Sequence, residues 1–272
     1  MDLPRSTYYY ESLVSTAKLQ EDADIRDILE EVALDFSAYG YRRMTVELLA
    51  RGLVVNHKRV LRIMRESQLL CHITRRFIVT TDSDHDLPVY PNVYRNQIAT
   101  GLNQIWLADI TYVRLRFCFV FLAVILDAFS RRAIGWALSK KLNTALTLDA
   151  LKSAIAQRRP LPGCIHHSDQ GVQYANYAYT NLLKTHGLEI SMSRKGNPYD
   201  NAMMESFFAT LKKEEVYLWD YATLEEARAR LPYFIEQVYN HKRRHSSLDY
   251  LPPIEFELKQ NQAQNYVLTN PA

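Results

Sequence analysis

The run WLADITYV (Trp106–Val113) decides how this chain is read, because it sets one carboxylate, Asp109, inside apolar and β-branched residues. Such a run reads as a buried strand. Alternation along it puts Leu107 and Thr111 on the face of Asp109, with Ala108 and Ile110 on the other. An ionised carboxylate in that setting is unfavourable unless compensated, and a divalent cation is a common compensator. Taken alone, Asp109 reads better as an edge-strand aspartate bonded to a backbone amide.

Two further carboxylates change that balance. Asp169 sits in CIHHSDQG (Cys164–Gly171), where a short strand breaks into a polar loop, with 35 residues between it and Glu205. Glu205 lies in NPYDNAMMESFFATLKKE (Asn197–Glu214), which reads as a helix. Singly, Asp169 is ordinary turn chemistry and Glu205 a surface residue of an amphipathic helix. Together, the strand, loop and helix settings suit three carboxylates converging on one point. Their mutual repulsion would be relieved by bound Mg²⁺ or Mn²⁺, and such sites serve in-line phosphoryl transfer on nucleic acid. On the helix, Asn201, Glu205 and Lys212 share a face at spacings of four and seven, beside an apolar stripe of Met204, Phe208 and Leu211. Seven residues advance about 10 Å, so Lys212 would stand off the carboxylates toward adjoining DNA. Simple solvation is the other reading for Lys212 and Lys213, and geometry favours Lys212.

Rival side chains read as structural. Asp127 ends a strand before Ser130 and Arg131, which suits turn closure or arginine pairing, and Asp200 suits a helix cap. His166 and His167 beside Cys164 alternate across a strand, so they make no zinc site.

Of the 272 residues, 47% are apolar, enough for a substantial core and for one large domain or two smaller ones. The net charge of +3 does not argue for nucleic acid, but its distribution does. Between Tyr41 and Arg76 nine basic residues face two acids, Glu47 and Glu66, the footprint of a phosphate-contacting module. Three cysteines form no CxxC pair or disulfide framework, which suits a reduced intracellular protein. The start MDLPRSTYYY is no signal peptide, and the longest apolar run, Phe117–Leu126, is too short to span a bilayer.

Along the chain, residues 1–20 read as a polar lead-in, and 24–36 as a helix. MTVELLARG reads as a short helix closing at Gly52, and the basic helix after Asn56, its N-cap, completes a helix-turn-helix pattern. In the last helix Lys58, Arg62 and Arg65 recur at i, i+4 and i+7, with Arg59 beside them and Val60, Ile63 and Met64 on an apolar flank. A recognition helix needs that split; a solvated basic face on a helical bundle is the plainer reading. The domain reading is residues 1–76 as the helix-turn-helix module, 77–100 as linker, 101–258 as catalytic core with a C-terminal helix, and 259–272 as tail. Within the core three strands in a meander precede alternating helices and strands, with Asn143 or Thr144 capping the first helix. The loop SMSRKGNPYDN carries Arg194 and Lys195, and YNHKRRHSSLDYLPP carries Lys242, Arg243 and Arg244. Both basic runs suit phosphate contact, or plain solvation.

The stretches YGYRRMTVELL, VNHKRVLRIM, WLADITYV, LDAFSRRAIGW, HHSDQGVQY, SMSRKGNPYDNAMMESFFATLKKE and YNHKRRHSSLDYLPPIEF, collinear from Tyr39 to Phe256, resemble the second-frame subunit of insertion-sequence transposases of the IS-three family. The resemblance implies an α/β fold: a ribonuclease-H-like integrase core, with a mixed five-stranded sheet and helices, behind a small all-α helix-turn-helix module. It implies a DNA transposase that cleaves insertion-sequence ends and joins 3′-hydroxyl ends to DNA with two Mg²⁺ ions, Mn²⁺ substituting. Asp109, Asp169 and Glu205 match the acidic triad as catalytic and metal-binding residues, and Lys212 the basic residue seven beyond. The resemblance also implies double-stranded DNA as partner (terminal inverted repeats and target), a homo-oligomer on DNA, a circular intermediate, and no membrane. A cytoplasmic, nucleoid-associated setting in a bacterium follows. The zinc module of retroviral integrases is absent, since His57, Cys71 and His72 lack its spacing. The chain begins at its own methionine without the upstream segment that a first frame supplies, so a first-frame partner or fusion is expected. A DNA-binding regulator with a silent core and a structure-specific nuclease remain the competing functions.

Overall fold

The computed structural model describes residues 16–70, 87–95, 97–194 and 201–269. The chain divides into two compact units, residues 1–74 and 75–272.

Among its described residues the first unit holds three helices, α1 (Thr16–Asp35), α2 (Tyr41–Ala50) and α3 (His57–Glu66). Ile25, Leu29 and Val32 of α1 pack with Met44 and Leu48 of α2 and with Val60, Ile63 and Met64 of α3, so the apolar flank read from the sequence is the docking face. Asn56 caps α3: its side chain accepts from the Lys58 amide at 2.9 Å. Gly52 turns the chain out of α2 with φ +84°, a conformation glycine takes without strain. Two expectations are corrected. The lead-in is helical from Thr16 on, and α2 begins at Tyr41 rather than Met44.

The second unit is built on a five-stranded sheet in the order β3-β2-β1-β4-β5. Its strands are β1 (Ile105–Arg114), β2 (Phe119–Asp127), β3 (Ala133–Ser139), β4 (Ile165–Ser168) and β5 (Glu189–Met192). β1, β2 and β3 form the expected antiparallel meander, whereas β4 and β5 add parallel to β1 across helical crossovers. Helix α4 (Thr144–Arg158), capped by Asn143, lies on one face. It approaches so closely that a Cβ at Gly135 would meet the Ala150 carbonyl at 2.4 Å. That face buries Trp106, Ala108, Ala123, Ile125 and Ile134 under α4 and the later helices α5 (Val172–Ala175) and α6 (Tyr177–Thr185). The helical stretch between β4 and β5 is split into α5 and α6. Asn176 breaks it, because its side chain accepts from the Ala178 amide at 2.9 Å and starts a new helix.

The other face buries Leu107, Val113, Leu122 and Val124 against α7 (Ala202–Leu211), through Met204, Phe207, Phe208 and Leu211. Removing a side chain such as Phe207 from this layer would cost about 3–5 kcal/mol. The helix does not run on unbroken to Glu214, as NPYDNAMMESFFATLKKE suggested. A π-helical turn, Lys212–Val216, precedes the short α8 (Tyr217–Trp219). The wider turn carries two consecutive glutamates onto partners. Glu214 receives both Nε and a terminal nitrogen of Arg243 at 2.7 and 2.8 Å, and buried Glu215 receives Tyr221 Oη at 2.6 Å and Arg230 Nε at 2.8 Å. Helix α9 (Leu224–Tyr233) contains Pro232, which cannot donate to the helical ladder, and a second π-helical stretch follows over Phe234–Lys242. The last helix, α10 (Pro253–Thr269), extends well into the stretch that read as a tail. Buried Glu257 clamps it to Arg132 and Arg158. Burial alone would raise the Glu257 carboxyl, but the two arginines hold it below its ordinary value.

Candidate active site

Asp109 stands mid-strand on β1. The last β1–β4 pair in register is Leu107 with His167, so the loop beyond β4 carries Asp169 alongside Asp109. The two aspartates line one cavity with Ile110, Thr111, Tyr112 and Gln173. Asp109 Oδ1 accepts from the Ile110 amide and Oδ2 from Asn201 Nδ2, both at 2.7 Å. Asp169 Oδ1 accepts from the Gly171 amide at 2.9 Å, holding the loop in a tight turn. Burial first, and then the charge of Asp169, push the Asp109 carboxyl up to about 8; Glu205 adds a smaller push. Both aspartates offer hard oxygen donors and one bears an unrelieved charge penalty, which fits a Mg²⁺-class cation. Glu205 is exposed on α7, one turn beyond Asn201. Among the described residues no three His, Cys, Asp or Glu side chains form a group that could hold an ion. The chain therefore brings two of the three carboxylates together and leaves the third facing them from the helix.

The β4 histidines beside the site are buried. His166 Nε2 meets Tyr179 Oη at 3.0 Å, and burial depresses its imidazole to about 3. His167 Nδ1 meets Ser191 Oγ at 2.8 Å and packs against the Tyr94 ring at 4.7 Å. The same serine hydroxyl accepts from the Tyr94 amide at 3.1 Å. Tyr90 and Tyr94 thus lie on the sheet although they fall in the stretch that read as linker. Asp127 closes a turn as expected, accepting from the Asn103, Phe129 and Ser130 amides.

The basic residues divide into several settings. Lys58, Arg62 and Arg65 are exposed on α3, and Arg59 is half-buried. Asp22 of α1 receives Arg59 Nε at 2.7 Å and a terminal nitrogen of Arg62 at 2.5 Å. The bond from Arg62 leads in holding the Asp22 carboxyl below the usual range. Lys212 is half-buried, its Nζ 4.4 Å from the Tyr112 ring centroid. Burial lowers its ammonium pKa, opposed by the charge of Asp109. Arg194 and Lys242 are exposed, while Arg244 is half-buried and donates to the Tyr250 carbonyl at 3.3 Å. Arg243 is corrected: it is 4% exposed and doubly bonded to Glu214, so it anchors the fold and presents no charge to a phosphate. Lys195, Asp200, Arg75, Arg76, Cys71 and His72 lie outside the described residues.

Sequence reasoning placed Asn201 on the Glu205 face without seeing its bond to Asp109. The spacing of four from Glu205 was the available signal. It missed Tyr112 altogether, since an aromatic in a strand reads as core.

An "HTH-like domain" family matches residues 19–77, and "Integrase core domain" families match residues 99–198 and 186–253. The "Insertion element IS600 uncharacterized 31 kDa protein" of Shigella sonnei is 41% identical over 82% of this chain and 83% of its own. "Transposase InsF for insertion sequence IS3A" of Escherichia coli is 40% identical over 81% of this chain and 77% of its own. Among solved structures, a chain of the simian T-cell lymphotropic virus intasome in complex with PP2A regulatory subunit B56 gamma aligns at TM-score 0.51 and 17% identity. That alignment covers 86% of this chain and 74% of the other. The likeness is one of fold: a mixed five-stranded, ribonuclease-H-like integrase core, with an all-helical region before it.

Proposed function

The chain belongs to the IS3-family insertion-sequence transposases, and on that premise we propose that it cleaves the ends of its element and joins their 3′-hydroxyls to DNA. The observation that carries this reading is the cavity shared by Asp109 and Asp169, faced by the helix of Glu205 and tied to it through Asn201. The reaction is in-line displacement at phosphorus. Water attacks in end cleavage and a 3′-hydroxyl in joining, the 3′-oxygen leaves, and no covalent protein intermediate is required.

Asp109, Asp169 and Glu205 would hold two Mg²⁺ ions, with Mn²⁺ able to substitute. Bound there, the ions supply Lewis-acid stabilisation of the attacking and leaving oxygens. The remaining work is done by the chain itself. Asn201 orients the Asp109 carboxylate and fixes the start of the catalytic helix against β1. Lys212 offers its ammonium to a phosphate of the DNA end. Lys58, Arg59, Arg62 and Arg65 contact the terminal inverted repeats, and Arg194, Lys195, Lys242 and Arg244 contact the backbone nearer the core. Among the described residues no helix is long and apolar enough to cross a membrane. The working form is a homo-oligomer on DNA with a first-frame partner or fusion, in the bacterial cytoplasm at the nucleoid.

Strand transfer with labelled, pre-cleaved element ends and Mn²⁺ tests the reading. The parent chain, alone or with its first-frame partner, is expected to give joined product, whereas Asp109→Asn and Glu205→Gln bind the ends and give none. Joining by either variant, or none by the parent with its partner, would overturn it.

A further inference from the structure

Beside the acidic cavity the catalytic unit exposes an aromatic ridge that neither the fold nor the two-aspartate site uses. Phe119 opens β2, and Tyr217 and Trp219 form α8; they are 44%, 48% and 53% exposed. The Arg116 amide donates to the Tyr221 carbonyl at 2.9 Å, which ties the β1–β2 hairpin to the segment just after α8. Tyr112 joins the ridge to the site. Its ring meets Phe119 edge-on at 5.5 Å, carries the Lys212 ammonium at 4.4 Å, and lines the cavity of Asp109 and Asp169. Burial, and then its neighbour Tyr217, raise the Tyr112 phenol, so Tyr217 stands close by. One more cation is set on the ridge: the Arg230 guanidinium stacks on Trp219 at 3.4 Å.

Exposed apolar surface of this size on a core face calls for an occupant. A second copy of the chain would favour aliphatic side chains free of charge. Here Leu218 adds an aliphatic side chain between Tyr217 and Trp219, but the rings also carry Lys212 on Tyr112 and Arg230, itself bonded to Glu215, on Trp219, and the β1–β2 hairpin exposes Arg114 and Arg116. Rings for base faces, interleaved with cations for phosphates, make a single-strand platform. We propose that Phe119, Tyr217 and Trp219, with Tyr112 and Lys212, stack unpaired bases of an opened DNA end and so lead its backbone to the two aspartates. This inference rests on the function proposed above and adds the form of the substrate, a duplex splayed at its terminus. Each base stacked on a ring favours a splayed end over a blunt one by about tenfold.

The test uses the full chain in EDTA, so no reaction occurs, with 2-aminopurine in the unpaired nucleotides of two splayed duplexes, one of element-end and one of random sequence. Quenching by the parent and about tenfold preference for splayed over blunt duplex are expected. Both should be lost in Tyr217→Ala with Phe119→Ala and kept in Tyr217→Phe. Equal quenching by the double alanine variant, or a parent that quenches neither probe, overturns the platform. So does a double variant that changes only oligomeric state by light scattering, which would assign the ridge to contacts between copies. Retained quenching with failed strand joining would instead sink the transferase reading alone.

Discussion

Asn201 Nδ2 donates to Asp109 Oδ2 at 2.7 Å, joining the residue just before the helix of Glu205 to the central strand across 92 residues of sequence. The bond does two things. It holds the Asp109 carboxylate in one rotamer, and it anchors the helix one turn before Glu205. Among the described residues Asn201 Oδ1 is buried without a hydrogen-bond partner. Asn201→Ala should lower strand joining by about 10–100-fold, the range seen when a residue that orients a metal ligand is removed. Binding of end DNA should stay within twofold by gel shift. Wild-type joining by the alanine variant would remove Asn201 from the positioning of the site.

The raised Asp109 carboxyl gives a pH dependence whose sign can be worked out. An unfolded aspartate titrates near about 3.9, whereas this one is pushed up to about 8 by burial and by Asp169. Between those values the folded chain holds a proton that the unfolded chain has released, so folding loses stability as pH rises through that window. Asp109→Asn removes the penalty. In EDTA its Tm should match the parent near pH 5 and exceed it near pH 9 by roughly 2–4 °C per kcal/mol relieved. The same proton must leave before a cation binds, so Mn²⁺ affinity of the parent should climb from pH 6 to 8. A Tm difference independent of pH would show that Asp109 is not strained.

What could be read in advance was what local pattern determines. The meander announces itself as three apolar runs, and WLADITYV and CIHHSDQG end where parallel pairing sets Asp109 and Asp169 alongside. Asn56 and Asn143 were legible as caps because capping is settled within three residues. The π-helical turn was not, because Lys212–Val216 has an ordinary helical sequence. Its geometry follows partners far along the chain, Arg230 and Arg243, that donate to Glu215 and Glu214. For the same reason Arg243 looked like one more cation in a basic run. The reach of Glu205 to the aspartates was equally hidden, since sequence gives the face of a helix but not its distance from a strand.

The Arg243–Glu214 pair separates structural charge from exposed charge in a single basic run. Arg243 is buried on Glu214, and its neighbour Lys242 is exposed. Arg243→Leu strands a buried carboxylate and should destabilise by about 3–5 kcal/mol in urea unfolding. Adding Glu214→Leu should recover most of that loss, because two apolar side chains can replace a buried pair. Lys242→Ala should leave unfolding unchanged and weaken DNA binding. Equal stability of Arg243→Leu and Lys242→Ala would contradict the burial of the pair.

On α3, the helix proposed to contact DNA, the acids of α1 draw on the same arginines that would meet phosphates. Arg59 and Arg62 share Asp22, Arg59 also meets Glu21 at 3.0 Å, and Arg62 meets Glu66 at 2.9 Å. These pairs are largely solvated, so each contributes about 0–1 kcal/mol to stability. Their larger effect is on the field in front of α3. Asp22→Asn should therefore leave folding nearly unchanged and tighten duplex binding, since a competing anion is removed from two guanidiniums. Arg65→Ala, which removes a cation exposed on the same helix, should weaken binding and flatten the plot of log K against log salt by about 0.9 for one phosphate contact. Equilibrium binding from 50 to 200 mM salt reads both variants in one experiment. If Asp22→Asn binds more weakly than the parent, the acids of α1 are orienting the arginines toward DNA, and the idea that they restrain binding fails.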